Sequence, residues 1–99
     1  MSGVVRQIVI RGRVQGVGYR AWVMHQAGLR RLDGWARNRR DGSVELLLAG
    51  PPDAISEMVA ICRRGPPASR VEAVDDEPGH CDALDLRRPG EAFSLLPTV

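Results

Sequence analysis

The dipeptide Asp41-Gly42 constrains this chain more than any other feature. It stands between two short runs, Gly34 to Arg39 and Ser43 to Ala49. Hairpin turns of this kind need positive φ, so the pair predicts a β-hairpin in the middle of the sequence. In the second run Val44, Leu46 and Leu48 fall on one face at period two. Before the hairpin, the β-branched run from Val4 to Arg11 suits a strand. A glycine-punctuated stretch, Gly12 to Gly18, follows it. From Arg20 to about Arg30 the residues favour a helix, with Trp22, Val23, Met24 and Ala27 as a broad apolar face and Gly28 as a late weakness.

After the hairpin, Pro51-Pro52 marks the start of a second helix, and Asp53 and Glu57 suit its amino-terminal dipole. Ile55, Met58, Val59 and Cys62 recur at i, i+3, i+4 and i+7, one face of a helix, and Gly65-Pro66-Pro67 stops it. Val71 to Val74 resembles a fourth strand. Ala92 to Leu96 is a short candidate fifth, after a polar loop holding Pro78, Gly79, Pro89 and Gly90. The order β-α-β-β-α-β is that of an α+β sandwich. This is the ferredoxin-like split β-α-β arrangement, two helices on one face of a four- to five-stranded mixed or antiparallel sheet. Ninety-nine residues are one domain's worth, so residues 1–99 are expected to form a single domain.

Composition narrows the functional classes. No apolar run approaches the ~20 residues of a membrane span. Arg6, Arg11 and Arg13 come before any signal-type hydrophobic stretch, which points to the cytoplasm and away from a membrane. Net charge is +2, and all 14 Lys+Arg residues are arginine. Aromatics are only 4%, too few for the stacking platforms of single-stranded nucleic-acid binders, so no nucleic-acid partner is expected. Cys62 and Cys81 make no disulfide framework, and His80-Cys81 lacks partners at zinc spacing, so no metal is expected.

The chemistry concentrates between the first strand and the first helix, in Gly12-Arg13-Val14-Gln15-Gly16-Val17-Gly18-Tyr19-Arg20. Backbone N–H groups are free at a helix start, where the dipole is positive. Three glycines in seven positions let successive N–H groups converge into a nest for an oxyanion of phosphate size. Arg20 adds a planar two-pronged cation. The spacing fits neither Gly-x-x-x-x-Gly-Lys-Ser/Thr nor Gly-x-Gly-x-x-Gly, and a glycine-relieved tight turn is the plain alternative. In a split β-α-β unit the first two strands run parallel, so Asn38, near the end of the second, comes towards the same edge of the sheet. Its amide offers a donor and an acceptor without carrying charge, which suits holding a water molecule; stabilising the hairpin turn is the other role open to it.

Two segments together closely resemble the acylphosphatase family. Ile10 to Arg20 supplies every position of a pattern reading aliphatic, x, Gly, x, Val-Gln-Gly-Val, variable, aromatic, Arg. Gly34 to Gly50 meets a second pattern, Gly-aromatic-small-x-Asn, three residues, Gly-x-Val, five residues, Gly. The likeness continues through Arg64-Gly65-Pro66-Pro67 to about Val74, with Phe93-Ser94-Leu95 as a weak echo of the last strand. The resemblance implies hydrolysis of acyl phosphates, small molecules, to a carboxylate and inorganic phosphate by a monomer that uses no metal or organic cofactor. It also implies that Arg20 and the loop Gln15, Gly16, Val17, Gly18 and Tyr19 hold the phosphoryl group, while Asn38 orients the attacking water. The rival is a non-catalytic anion-binding or interaction module of the same fold. Gly18 and Arg31 depart from the family's commonest residues; Arg31 replaces a helix-ending glycine, which predicts a strained turn before Leu32-Asp33. Arg37, Arg39 and Arg40 either draw in anions or form a solvated hairpin face.

Overall fold

The computed structural model describes residues 3–99. Strand β1 (Val4–Arg13) leads through the glycine loop into α1 (Tyr19–Leu29). Then come β2 (Asp33–Asn38), β3 (Val44–Gly50), α2 (Pro52–Arg64), β4 (Arg70–Pro78), a 3-10 helix (Cys81–Leu86) and β5 (Phe93–Leu95). All strands join one sheet in the order β4-β1-β3-β2-β5. β3 is antiparallel to both β1 and β2, so those two run parallel to each other, and β5 pairs parallel with β2. The expected ferredoxin-like βαββαβ frame is present with the fifth strand added, and the sheet is mixed.

Strand periodicity puts Ile8 and Ile10 of β1, Ala36 of β2, and Val44, Leu46 and Leu48 of β3 on the helix-covered face. They pack against Val23 and Ala27 of α1 and Ile55, Met58, Val59 and Cys62 of α2, so the stripe read from α2 is the stripe it buries. In α1 the apolar face is shifted from the expected one. Met24 is 39% exposed, and Tyr19 is buried in the first turn, its hydroxyl donating to the Cys62 carbonyl at 2.7 Å.

The expected polar loop after residue 74 is more ordered than its composition suggests. β4 runs on through Asp75-Asp76-Glu77 because β1 lays arginines alongside: Arg6 pairs with Asp76 at 2.9 Å and Arg11 with Asp75 at 3.2 Å. Such cross-strand pairs each contribute a few tenths of a kcal/mol, about 0.2–1. The 3-10 helix then covers part of the face away from the main helices, where Ala83 and Leu84 pack on Trp35, Leu47 and Leu96. The Trp35 indole N–H donates to the Ala83 carbonyl at 2.8 Å, satisfying the one polar atom of a buried ring.

Candidate active site

Because β1 and β2 are parallel, their carboxyl ends share one edge of the sheet, and the β1–α1 loop lies beside the end of β2. Gly16 and Gly18 sit at φ 72° and 79°, and a Cβ built on either would meet nothing within 4 Å. Glycine is thus required there for backbone conformation and not for space. Gly18 stands at the amino-terminal cap of α1, and no side chain caps that end. Among the described residues, none of the N–H groups from Gln15 to Ala21 donates to a protein acceptor. A run of uncapped donors at a helix amino terminus is an anion site in waiting.

These groups edge a cavity of about 160 Å³. Gly16, Gly18, Tyr19 and Arg20 line it from the loop and helix, Asn38 from the end of β2, and Val14, Ala21 and Leu95 complete it. Arg20 takes part in no ion pair among the described residues, which leaves its guanidinium available to an anion. The loop and Asn38, 18 or more residues apart in sequence, therefore meet as the topology requires. No Asp, Glu or His lines the cavity. His25 is exposed on α1, and His80 precedes the 3-10 helix. Among the described residues no cluster of three or more His, Cys, Asp or Glu side chains is placed to hold a metal ion. Of the larger cavities, two of about 520 and 550 Å³ lie along the helices. In the first, Gly65 donates to Ile61 and Ser69 to Pro66, so its backbone donors are already satisfied.

Several residues are placed differently from the sequence reading. The Gln15 side chain points to the hairpin: its amide nitrogen donates to the Arg39 carbonyl at 2.7 Å and the Ser43 carbonyl at 2.8 Å. Gln15 and Val17 do not line the cavity, and Tyr19 sends its ring into the core. Arg37 lies on the opposite face from Asn38 by strand alternation. There it pairs with the buried Glu45 at 2.7 Å and stacks over Trp35 at 4.5 Å, so its charge is not at the site. Unanticipated from sequence were Leu95 and the terminal residue: the Val99 N–H donates to the Asn38 carbonyl at 3.1 Å and the Arg40 N–H to the Val99 carbonyl at 2.8 Å. Asn38 is thereby held between β3 on one side and the tail on the other.

Electrostatics stiffen the surroundings. The Asp41 carboxylate accepts the Ser43 hydroxyl at 2.6 Å and the Ser43 N–H at 2.9 Å, and these bonds hold its pKa below the usual carboxylate value. Burial pushes the Tyr19 phenol up, and likewise raises the Cys62 thiol to about 12. Both groups remain neutral under the helix start at any physiological pH.

A sequence model of the acylphosphatase family matches residues 6–83, most of the chain. The chain belongs to the acylphosphatase family. An acylphosphatase of Rhodopseudomonas palustris is 63% identical over 99 residues, the whole of both chains. One of Bradyrhizobium diazoefficiens is 62% identical, again over the whole of both. The crystal structure of acylphosphatase from Bacillus subtilis superimposes with a TM-score of 0.80 at 35% identity, covering 94% of this chain and 98% of that one. Membership makes this protein an enzyme, a hydrolase of the carboxyl–phosphate bond.

Proposed function

We propose that this acylphosphatase binds the phosphoryl group of its substrate in the Gln15–Arg20 loop and attacks it with a water oriented by Asn38. The observation that carries the reading is the convergence on one small cavity of unpaired backbone N–H groups, an unpaired arginine and a neutral amide. Phosphoryl transfer demands mainly positioning and stabilisation of charge on the equatorial oxygens. The loop N–H groups and the Arg20 fork supply that stabilisation. The Asn38 amide oxygen accepts a hydrogen bond from the water and aims the water oxygen at phosphorus, in line with the departing carboxylate. The P–O bond to the acyl oxygen breaks, the carboxylate leaves as a weakly basic anion, and inorganic phosphate remains in the cradle. With no carboxylate or imidazole at the cavity among the described residues, a phosphoryl oxygen of the substrate takes one proton from the attacking water, and the other stays on the attacking oxygen as a hydroxyl of the product phosphate.

On this reading the protein works as a single-domain monomer in the cytoplasm on a small-molecule acyl phosphate, without metal, organic cofactor or nucleic-acid partner. Among the described residues no helix is long and apolar enough to cross a membrane. The test is phosphate release from a simple aryl acyl phosphate, with and without a metal chelator, by wild type, Arg20→Ala and Asn38→Ala. Chelator-insensitive release lost in both variants supports the mechanism. A folded wild type that binds inorganic phosphate at Arg20 but releases none from the substrate favours the anion-binding module instead.

A further inference from the structure

We infer that Gln15 is a positioning residue, which sets the distance between the phosphate loop and Asn38 and does not touch the substrate with its side chain. The inference rests on the hydrolytic reading above. Its amide nitrogen has two N–H donors, and both are committed: one to the carbonyl of Arg39, the other to that of Ser43. These carbonyls form the mouth of the hairpin that begins immediately after Asn38. Across the same mouth the Arg39 N–H donates to the Ser43 carbonyl at 2.8 Å and the Gly42 N–H to the Arg39 carbonyl at 3.1 Å. One neighbour of Gln15 in sequence, Gly16, lines the cavity; one neighbour of Arg39, Asn38, lines it from the other side.

Val14 and Val17 anchor the loop to the core by packing, but it has little else in the way of hydrogen bonds to hold it. From Gln15 to Gly18 no backbone N–H bonds to the rest of the protein among the described residues, because those donors are the ones left for the anion. The Gln15 carboxamide is therefore the hydrogen-bonded tie between the segment that binds phosphorus and the segment that aims water at it. A donor with two hydrogens spans two carbonyls, whereas a hydroxyl has only one to give and an ammonium brings a charge that needs solvation. Misplacing reacting groups by about 1 Å is enough to lose roughly 100-fold in rate, so a tie of this kind acts on turnover without contributing a contact to the substrate.

The experiment compares Gln15→Ala and Gln15→Met with wild type, each also in the Asn38→Ala background, reading kcat, KM, the Kd for inorganic phosphate and thermal melting. The expected result is a kcat lower by roughly 10- to 100-fold with KM and phosphate Kd within about twofold. In the Asn38→Ala background the same change alters kcat by no more than about twofold, since the amide it positions is gone. A raised KM and phosphate Kd at unchanged kcat overturns the inference and makes Gln15 a substrate contact. Equal losses of kcat in both backgrounds overturn it too. An inactive wild type sinks the hydrolytic reading and this inference with it, whereas active wild type with insensitive variants sinks the inference alone. Should both variants fail to fold, the wild-type Gln15 side-chain amide protons decide the matter: both must show slowed exchange and hydrogen-bond couplings to the Arg39 and Ser43 carbonyls, and their absence overturns the tie.

Discussion

Replacing Arg31 by glycine is expected to stabilise the protein without touching its chemistry. Helix α1 ends with the Leu32 N–H donating to the Ala27 carbonyl at 2.9 Å and the Arg31 N–H to the Gly28 carbonyl at 3.1 Å. This double bond pattern requires a left-handed residue after the cap, a position usually given to glycine. Arg31 occupies it at φ 55°, the one non-glycine residue with positive φ among those described. An L-residue in that conformation is disfavoured by about 1–2 kcal/mol. Glycine removes the clash but loses about 0.5–1 kcal/mol more backbone entropy on folding. The central difference is a gain of about 0.75 kcal/mol, within a span of about 0–1.5, which at about 4–8 °C per kcal/mol for a domain of this size is a rise in Tm of about 3–6 °C. Arg31 is exposed and joins no ion pair among the described residues, so loss of its side chain matters little. Arg31→Ala is the control, since it removes the side chain and keeps the strain. Thermal and urea unfolding of the three proteins decide it, and kcat should stay within twofold because the turn is at the far end of α1 from the cradle. A glycine variant no more stable than the alanine variant refutes the reasoning.

Three further outcomes follow from the same structure. Arg20→Lys keeps the charge but loses the planar fork, so kcat/KM should fall by roughly 100-fold or more in a protein that melts normally; near-wild-type kinetics mean a point charge suffices. Gly16→Ala and Gly18→Ala meet no steric obstacle, so each should fold with a stability loss of about 1–2 kcal/mol, while relaxation of the loop to negative φ weakens inorganic phosphate binding roughly 10-fold; unaltered phosphate affinity contradicts the nest. Alkaline pH should destabilise the fold through Cys62 and Tyr19. The unfolded chain releases these protons near about pH 9 and 10 while the folded protein retains them, so the unfolded state binds fewer protons there. Stability is full well below about pH 9 and falls as pH rises, by one proton's slope above about 9 and towards two above about 10; urea midpoints flat from about pH 8 to 11 rule this out.

What was legible in the sequence was whatever local chemistry determines. The hairpin expected at Asp41-Gly42 forms, but through a three-residue Arg40-Asp41-Gly42 turn closed by the Arg39 N–H on the Ser43 carbonyl, with Gly42 alone of the pair at positive φ. The four apolar residues of α2 are all buried, and the glycines before Arg20 adopt positive φ. The strained turn at Arg31 was likewise visible, because an arginine stood where a helix stop needs glycine. The meeting of the loop with Asn38 was legible one step further on, through the parallel relation of β1 and β2. What stayed hidden depends on partners remote in sequence. Asp75-Asp76-Glu77 reads as loop until Arg6 and Arg11 are seen alongside, and Cys81–Leu86 has no apolar period of its own until Trp35 and Leu47 offer a surface. Tyr19 displaces Met24 from the core because the Cys62 carbonyl is there to accept its hydroxyl. Gln15 looked like part of the cradle because it lies within it in sequence; only the hairpin carbonyls reveal where its amide goes. The contact of Val99 with Asn38 had no local signal at all.

The central claim is that the loop and Arg20 bind phosphate while Asn38 acts on water. Its most direct test is the Asn38→Ala variant, with kcat on an aryl acyl phosphate and Kd for inorganic phosphate measured on the same folded protein. The account predicts a kcat lower by roughly 100-fold or more with Kd within about threefold of wild type. A folded variant that turns over at nearly the wild-type rate contradicts it.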